Sequence, residues 1–113
     1  MNYILSKDEL KLNETAYRFQ GEDYGDLPFS FFWVFTVPGS GPGLHVHPYE
    51  EVFVLQKGQA TFTVGEAQLE IQVGQIVIAP PNTPHKFINS GTEPLQLLSI
   101  HASKRVIQTF LEP

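Results

Sequence analysis

Histidine is scarce in this chain, four among 113 residues, yet two of the four stand one residue apart in LHVHPYEEVFVLQKG (44–58), just ahead of Glu50 and Glu51. In an extended strand residues i and i+2 project to the same side, so His45 and His47 present two imidazoles together. Glu51 shares their parity, although the Pro48-Tyr49-Glu50 turn makes parity there only suggestive. A third histidine, His85, opens another run of strand formers in PPNTPHKFIN (80–89), directly after a rigid proline turn. Three nitrogens and one oxygen from two distant segments suit a transition-metal site. The competing reading stays open at this point: a lone H-x-H in a loop is commonly two solvated histidines, and a lone glutamate a surface carboxylate.

Such a site needs elements that bring residues 45–51 and 85 together. Turn signals fall at Pro38–Gly43, Lys57-Gly58, Gly65-Glu66, Gly74-Gln75, Pro80–Pro84 and Ser90–Pro94, and from residue 58 onward they recur every eight to ten residues. That spacing predicts an all-β antiparallel sandwich or barrel. QLEIQV (68–73) alternates, with Leu69, Ile71 and Val73 on one face, and Gly65-Glu66 joins it to ATFTV as a two-residue hairpin. FSFFWVFTV (29–37) is apolar on both faces and reads as a central strand in the core. In SKRVIQTFLEP (103–113) Val106 precedes Phe110 by four residues and Ile107 precedes Leu111 by four, which predicts a short amphipathic C-terminal helix over about 103–111, with Ser103 as its cap and Pro113 as its stop. The first twenty residues read equally as a strand, a turn of helix or an arm.

Composition narrows the function classes. The length predicts a single domain, 1–113, with one core. The formal charge is −5 and the seven basic residues cluster nowhere beyond Lys104-Arg105, so a nucleic-acid partner is not expected. There is no cysteine, which leaves nitrogen and oxygen as the only ligands for a metal. The opening MNYILSKDELKLNE turns polar too soon for a secretory signal, and the most aromatic stretch, 29–37, is too short to span a membrane. These features predict a soluble, cytoplasmic chain with no membrane partner.

The glycines around the histidines carry a resemblance. Gly39, His45, His47, Glu51 and Gly58 match G-x5-H-x-H-x3-E-x6-G without a gap, and Gly74, Pro80, His85 and Asn89 match G-x5-P-x-G-x2-H-x3-N with one departure, Asn82 in place of the second glycine. With these two signatures over 39–58 and 74–89, about fifteen residues apart, the chain resembles a small single-domain member of the cupin superfamily. The resemblance implies a double-stranded β-helix, a jelly-roll barrel of two antiparallel sheets, with one divalent transition metal ion inside and commonly a homodimer. It implies His45, His47, Glu51 and His85 as ligands and rejects Glu50. An octahedral ion held so keeps two positions for water, oxygen or a chelating substrate. Fe, Mn, Ni and Zn are all compatible with the donor set. Asparagine tolerates left-handed backbone better than other side chains, so the turn at Asn82 should survive its departure.

Parity then sketches a pocket. Phe53 and Leu55 run inward after Glu51, Phe87 and Asn89 after His85, and the Phe31-Trp33-Phe35 row offers a further wall, with the opposite face of that strand equally apolar. Arg18 is the one candidate for binding a substrate carboxylate, against a plain surface role. His101 is a candidate general base or a group beside the ligands, against an ordinary strand-end histidine. Few inward polar groups favour a small aromatic or apolar ligand. Three functions follow. The first is an enzyme of dioxygenase, isomerase or decarboxylase type acting on a small chelating substrate. The second is a non-catalytic module that binds or senses a small molecule or metal. The third, a storage or scaffold role, is disfavoured by the intact ligand set. The doubly apolar segments 29–37 and 51–55 exceed what one barrel interior absorbs, which predicts a homodimer, with the N-terminal arm as one means of contact.

Overall fold

The computed structural model describes residues 3–112, ten strands and two short 3-10 turns, Lys7–Leu10 and Gly21–Asp23. The strands are β1 (Ala16–Gln20), β2 (Ser30–Thr36), β3 (His45–Val46), β4 (Glu51–Lys57), β5 (Gln59–Val64), β6 (Ala67–Gln72), β7 (Ile76–Ala79), β8 (His85–Asn89), β9 (Leu95–His101) and β10 (Thr109–Phe110). They form two antiparallel sheets of five, in the orders β1-β2-β9-β4-β7 and β10-β3-β8-β5-β6. Strands 2 and 9, 3 and 8, 4 and 7, and 5 and 6 pair in nested fashion around the β5–β6 hairpin. This nesting is a jelly roll: the predicted all-β barrel forms, and its two sheets face each other across one core.

Strict alternation drives the packing. In β9 Leu95, Leu97, Ser99 and His101 are buried, and in β4 Glu51, Phe53 and Leu55 are buried. With β5 and β8 they enclose Phe62 and Phe87, and full burial of such side chains stabilises by roughly 1.5–3 kcal/mol each. The paired strands grade from apolar to polar along their length. Leu55 stands opposite Leu97 toward one end, while Glu51 stands opposite His101 at the other. A hydrophobic plug thus closes one end of the barrel and the titratable residues gather at the open end.

Three expectations change. No helix forms over 103–111: the segment is a turn followed by an extended strap whose β10 pairs with β3 and seats Phe110 opposite His45. A two-residue β3 would otherwise leave a bare sheet edge, and the extended strap satisfies it, with Leu111 N–H donating to the Leu44 carbonyl. Ser103 receives the Arg105 N–H within the turn instead of capping a helix, and Pro113 lies outside the described residues. The N-terminal region combines a 3-10 turn, Lys7–Leu10, with a strand: β1 pairs in full with β2 of its own sheet, Arg18 opposite Phe32. Residues 1 and 2 of the expected arm lie outside the described residues. Finally, β6 is an edge strand, where Ile71 packs on the core while Leu69 and Val73 stay exposed.

Candidate metal centre

The four residues singled out by spacing converge. His45 enters from β3, His47 from the residue after it, Glu51 from the start of β4 and His85 from the start of β8, directly opposite His45 in the ladder. One ligand atom from each lies within 4.8 Å of all the others, and the four side chains are buried, none more than 6% exposed. Two turns aim them. Gly58 (φ +91) turns the chain after β4 where a Cβ would lie 2.9 Å from the Pro94 carbonyl, so only glycine fits. Asn82 adopts φ +59, the left-handed geometry expected at the departed motif position, and its N–H donates to the His47 carbonyl at 2.7 Å. That bond ties the His85 turn to the His47 strand.

The imidazoles are oriented by the main chain. Nδ1–H of His45 donates to the Gly43 carbonyl (2.8 Å), that of His47 to Ile107 (2.8 Å) and that of His85 to Thr83 (2.9 Å). In neutral rings this leaves Nε2 as a lone pair on all three. Yet Nε2 of His47 and of His85 stand 2.8 and 2.9 Å from Glu51 Oε1, which is itself an acceptor when ionised. Lone pairs pressed together in a dry site repel unless a positive charge sits among them. Three neutral imidazoles and a carboxylate aimed at one point, each imidazole held from behind by a carbonyl, are what a divalent ion requires. The donor set fits a metal ion, and these residues could hold one.

The electrostatics favour the ligand forms of Glu51 and His45 but not of His85. Burial opposes ionisation of Glu51, but its contacts with His101, His47 and His85 outweigh it and hold the carboxyl well below the usual range. Burial pushes His45 down to about 4, against the opposing pull of the Gly43 carbonyl, so the ring stays neutral and available as a ligand. For His85 burial is overcome by Glu51 and the Thr83 carbonyl, and its pKa rises.

Beside the four donors the chain places two residues that spacing did not assign to the site. His101, for which an ordinary strand-end role competed, is 1% exposed, with Nε2 3.0 Å from Glu51 Oε2. Tyr49 lies with its hydroxyl 2.6 Å from His101 Nδ1 and its ring stacked on His47. Burial raises the Tyr49 hydroxyl to about 12, so it stays protonated. Sequence reading missed Tyr49, although it has the same parity as His45, His47 and Glu51. It also missed the strap, whose Ile107 carbonyl orients His47 and whose signal was masked by helical spacing.

A cavity of about 360 Å³ opens over His45, Glu51 and His101. Phe53 and Phe87 line it, whereas Leu55 sits below it in the apolar plug. Asn89 is structural: its amide donates to the Thr36 and Glu93 carbonyls and its oxygen accepts from Gly91 N–H, closing the turn after β8. Trp33 faces outward. The other face of β2 supplies the wall, through Phe32, Val34 and Thr36, because Phe32 pairs with the inward Ser99 of β9. Leu12, Asn13, Thr15 and Ala16, with Gln108 and Phe110 of the strap, form the rim. Arg18 shares the inward side of β1 with Phe32 but is exposed and stands apart from the cavity lining.

A family model described as a cupin domain matches residues 25–101. Two curated relatives are similar: an uncharacterized protein of Methanocaldococcus jannaschii, 36% identical over 61 residues (53% of this chain, 49% of that protein), and auxin-binding protein 1 of Arabidopsis thaliana, 34% identical over 89 residues (70% and 44%). The chain therefore spans about half the length of the curated relatives it matches. Among solved structures, Bacillus subtilis oxalate decarboxylase, studied for its Mn(II) centres, superposes with TM-score 0.79 at 24% identity over 88% of this chain and 29% of that one. Recombinant oxalate oxidase in complex with glycolate superposes with TM-score 0.76 at 17% identity over 85% and 54%. At such identities these likenesses concern the fold alone.

Proposed function

The chain belongs to the cupin family, and from that premise we propose that it is a metal-dependent enzyme acting on a small chelating organic substrate, with one divalent transition metal held by His45, His47, Glu51 and His85. The observation that carries this reading is the convergence of Nε2 lone pairs and a carboxylate oxygen, with every Nδ1–H spent on a main-chain carbonyl. Fe, Mn, Ni and Zn all suit the donors, and with four protein ligands a six-coordinate ion leaves two positions for a chelate. When bound, such an ion supplies Lewis acidity toward a substrate oxygen and, if redox-active, a route to oxygen chemistry of the dioxygenase type, alongside isomerisation or decarboxylation.

The chain's own residues set the substrate class. None of the residues lining the cavity is Lys or Arg, and Phe32, Val34, Phe53, Phe87 and Phe110 make most of its walls apolar. A compact dianion such as oxalate would find no cationic side chain beyond the ion itself, so the reading favours one chelating oxygen-bearing end on a small aromatic or apolar body. The phenyl walls exclude water around the donors. The test is consumption of catechols, diketones or thiol acids by metal-loaded protein, followed with an oxygen electrode and by product analysis. Turnover of a member of these classes that His85→Ala abolishes supports the enzyme.

A non-catalytic module that binds or senses a small molecule or metal is the second reading, favoured by the likeness to a relative named for binding, auxin-binding protein 1. Reversible binding with no consumption selects it.

The outer face of the first sheet supports a homodimer. Trp33, Leu98, Val54 and Ile76 run across four strands in one row, and Phe31, Ile100, Val52 and Ile78 in the next, without a charge. Ile76 and Ile78 are 59% and 64% exposed, and a two-fold contact would cover them. We place the chain in the cytoplasm on the sequence features alone; no helix among the described residues is long and apolar enough to cross a membrane.

A further inference from the structure

His101 and Tyr49 lie outside the ligand set, and their hydrogen bonds fix where a proton sits. The Tyr49 hydroxyl accepts the Ile107 N–H at 3.2 Å and stands 2.6 Å from His101 Nδ1. With one backbone donor already directed at its oxygen, the hydroxyl's own hydrogen has His101 Nδ1 as its acceptor. Nδ1 is then the lone-pair side of the ring, and Nε2 carries the hydrogen. A second observation selects the same tautomer. Nε2 stands 3.0 Å from Glu51 Oε2, and the opposite tautomer would press a lone pair against a carboxylate in a site where both side chains are almost wholly buried.

That N–H is poorly spent. Although Glu51 is close, Nε2 is a buried nitrogen without an aligned hydrogen-bond partner among the described residues, and His101 lines the cavity next to Glu51. A buried donor left half-satisfied is costly, and its burial beside a substrate cavity marks it for a ligand acceptor. Because Nε2 carries hydrogen, His101 is also unsuited to be a further metal ligand or a general base in this state.

We infer that His101, set in its Nε2–H tautomer by Tyr49, is a fixed hydrogen-bond donor that recognises an anionic acceptor atom of the ligand seated at the metal. The ligand class is thereby narrowed to molecules whose chelating end carries an oxyanion, such as an enolate, a phenolate or a monocarboxylate. Tyr49 is a positioning residue that acts through His101. This inference rests on the metal reading for the place of the ligand, but the tautomer can be read without it.

Two measurements test it. Long-range 1H–15N spectra of the wild-type protein loaded with Zn(II) report which ring nitrogen of His101 is protonated. A pyrrole-type Nε2 and a pyridine-type Nδ1 are expected, and the reverse overturns the inference. In the second, Co(II)-loaded protein is titrated with azide, an anion able to accept the bond, and with imidazole, whose coordinating nitrogen has no lone pair left to accept one. His101→Phe is expected to weaken azide about tenfold, as loss of a charge-assisted hydrogen bond does, while leaving imidazole and Co(II) affinity within about threefold. Tyr49→Phe should weaken azide by a smaller factor in the same direction. Equal azide affinity in wild type and His101→Phe, or no azide binding to a fully loaded wild type, overturns the inference and leaves the metal site standing. Failure of the wild type to take up Co(II) overturns both. Should His101→Phe fail to fold, the wild-type spectra decide.

Discussion

At the residue scale the site turns on which nitrogen each histidine offers. Three Nδ1–H groups are committed to the carbonyls of Gly43, Ile107 and Thr83, so removing one ring should cost most of the affinity, while the neighbouring carboxylate should not matter. His85→Ala is expected to lose metal binding by at least about a hundredfold, and Glu50→Ala to keep it; isothermal titration of both variants checks this, and equal loss would mean that the ligand carboxylate is misassigned. The pH response follows from the shifts. In metal-free protein the unfolded chain protonates His45 near 6.5 and the folded chain only near about 4, so stability is lost as pH falls across that window. The depressed Glu51 extends the loss below its ordinary range. The raised His85 acts oppositely: its contribution is complete below 6.5 and is lost as pH rises through its folded value. Metal-free protein should therefore be most stable near the ordinary histidine range. Bound metal requires deprotonated ligands, so the gain in melting temperature on loading should grow from pH 6 to pH 8. A gain that is flat or shrinks with pH, measured by scanning calorimetry, would contradict the ligand set. Most of this residue-level account was legible beforehand, because i, i+2 parity and the turn-to-ligand spacings are local. Tyr49 was not, and His101 entered only as a candidate against an ordinary strand-end role, since a lone tyrosine or histidine carries no spacing signal and their partnership spans 52 residues.

At the scale of elements, the C-terminal strap is where sequence and structure part. Val106/Phe110 and Ile107/Leu111 fit a helix, but a helix would leave the edge of β3 bare and withdraw the Ile107 carbonyl from His47. Nonlocal pairing therefore outweighs local periodicity, which a single chain's sequence cannot weigh. Likewise β2 is apolar on both faces, so parity could not choose between the Trp33 and Phe32 rows; only its pairing with Ser99 of β9 does. Where the backbone itself was constrained, the reading succeeded: Asn82 has positive φ. Asn82→Gly should be neutral or mildly stabilising, and Asn82→Val should cost on the order of 1–2 kcal/mol and weaken metal binding, because a β-branched residue resists that conformation. A valine variant that melts with the parent and binds metal equally well would contradict a strained turn. Removing the strap from Ile107 onward should lower metal affinity about tenfold or more through the loss of one orienting carbonyl, again read by titration.

For the whole molecule, turn spacing and alternation were enough to foresee an antiparallel β sandwich or barrel, because its hairpins are short, while the jelly-roll order came only from the resemblance to cupins. What lies on the outer face was less legible, since an apolar residue in a doubly apolar strand gives no hint of whether it meets a helix, a second copy or solvent. The charge-free rows ending in Ile76 and Ile78 are what the proposed dimer rests on. Sedimentation equilibrium at micromolar concentration should give twice 12.7 kDa, and Ile78→Lys should shift it toward the monomer; a clean monomer for the parent chain would exclude that assembly. The central claim is that the four converging side chains hold a metal, and elemental analysis of tag-free protein, before and after reconstitution with Fe(II), Mn(II), Ni(II) or Zn(II), tests it most directly. The account predicts about one divalent transition ion per chain, removed by a chelator and regained on reconstitution. Protein that is folded, metal-free as purified and unable to take up any of the four ions would contradict it.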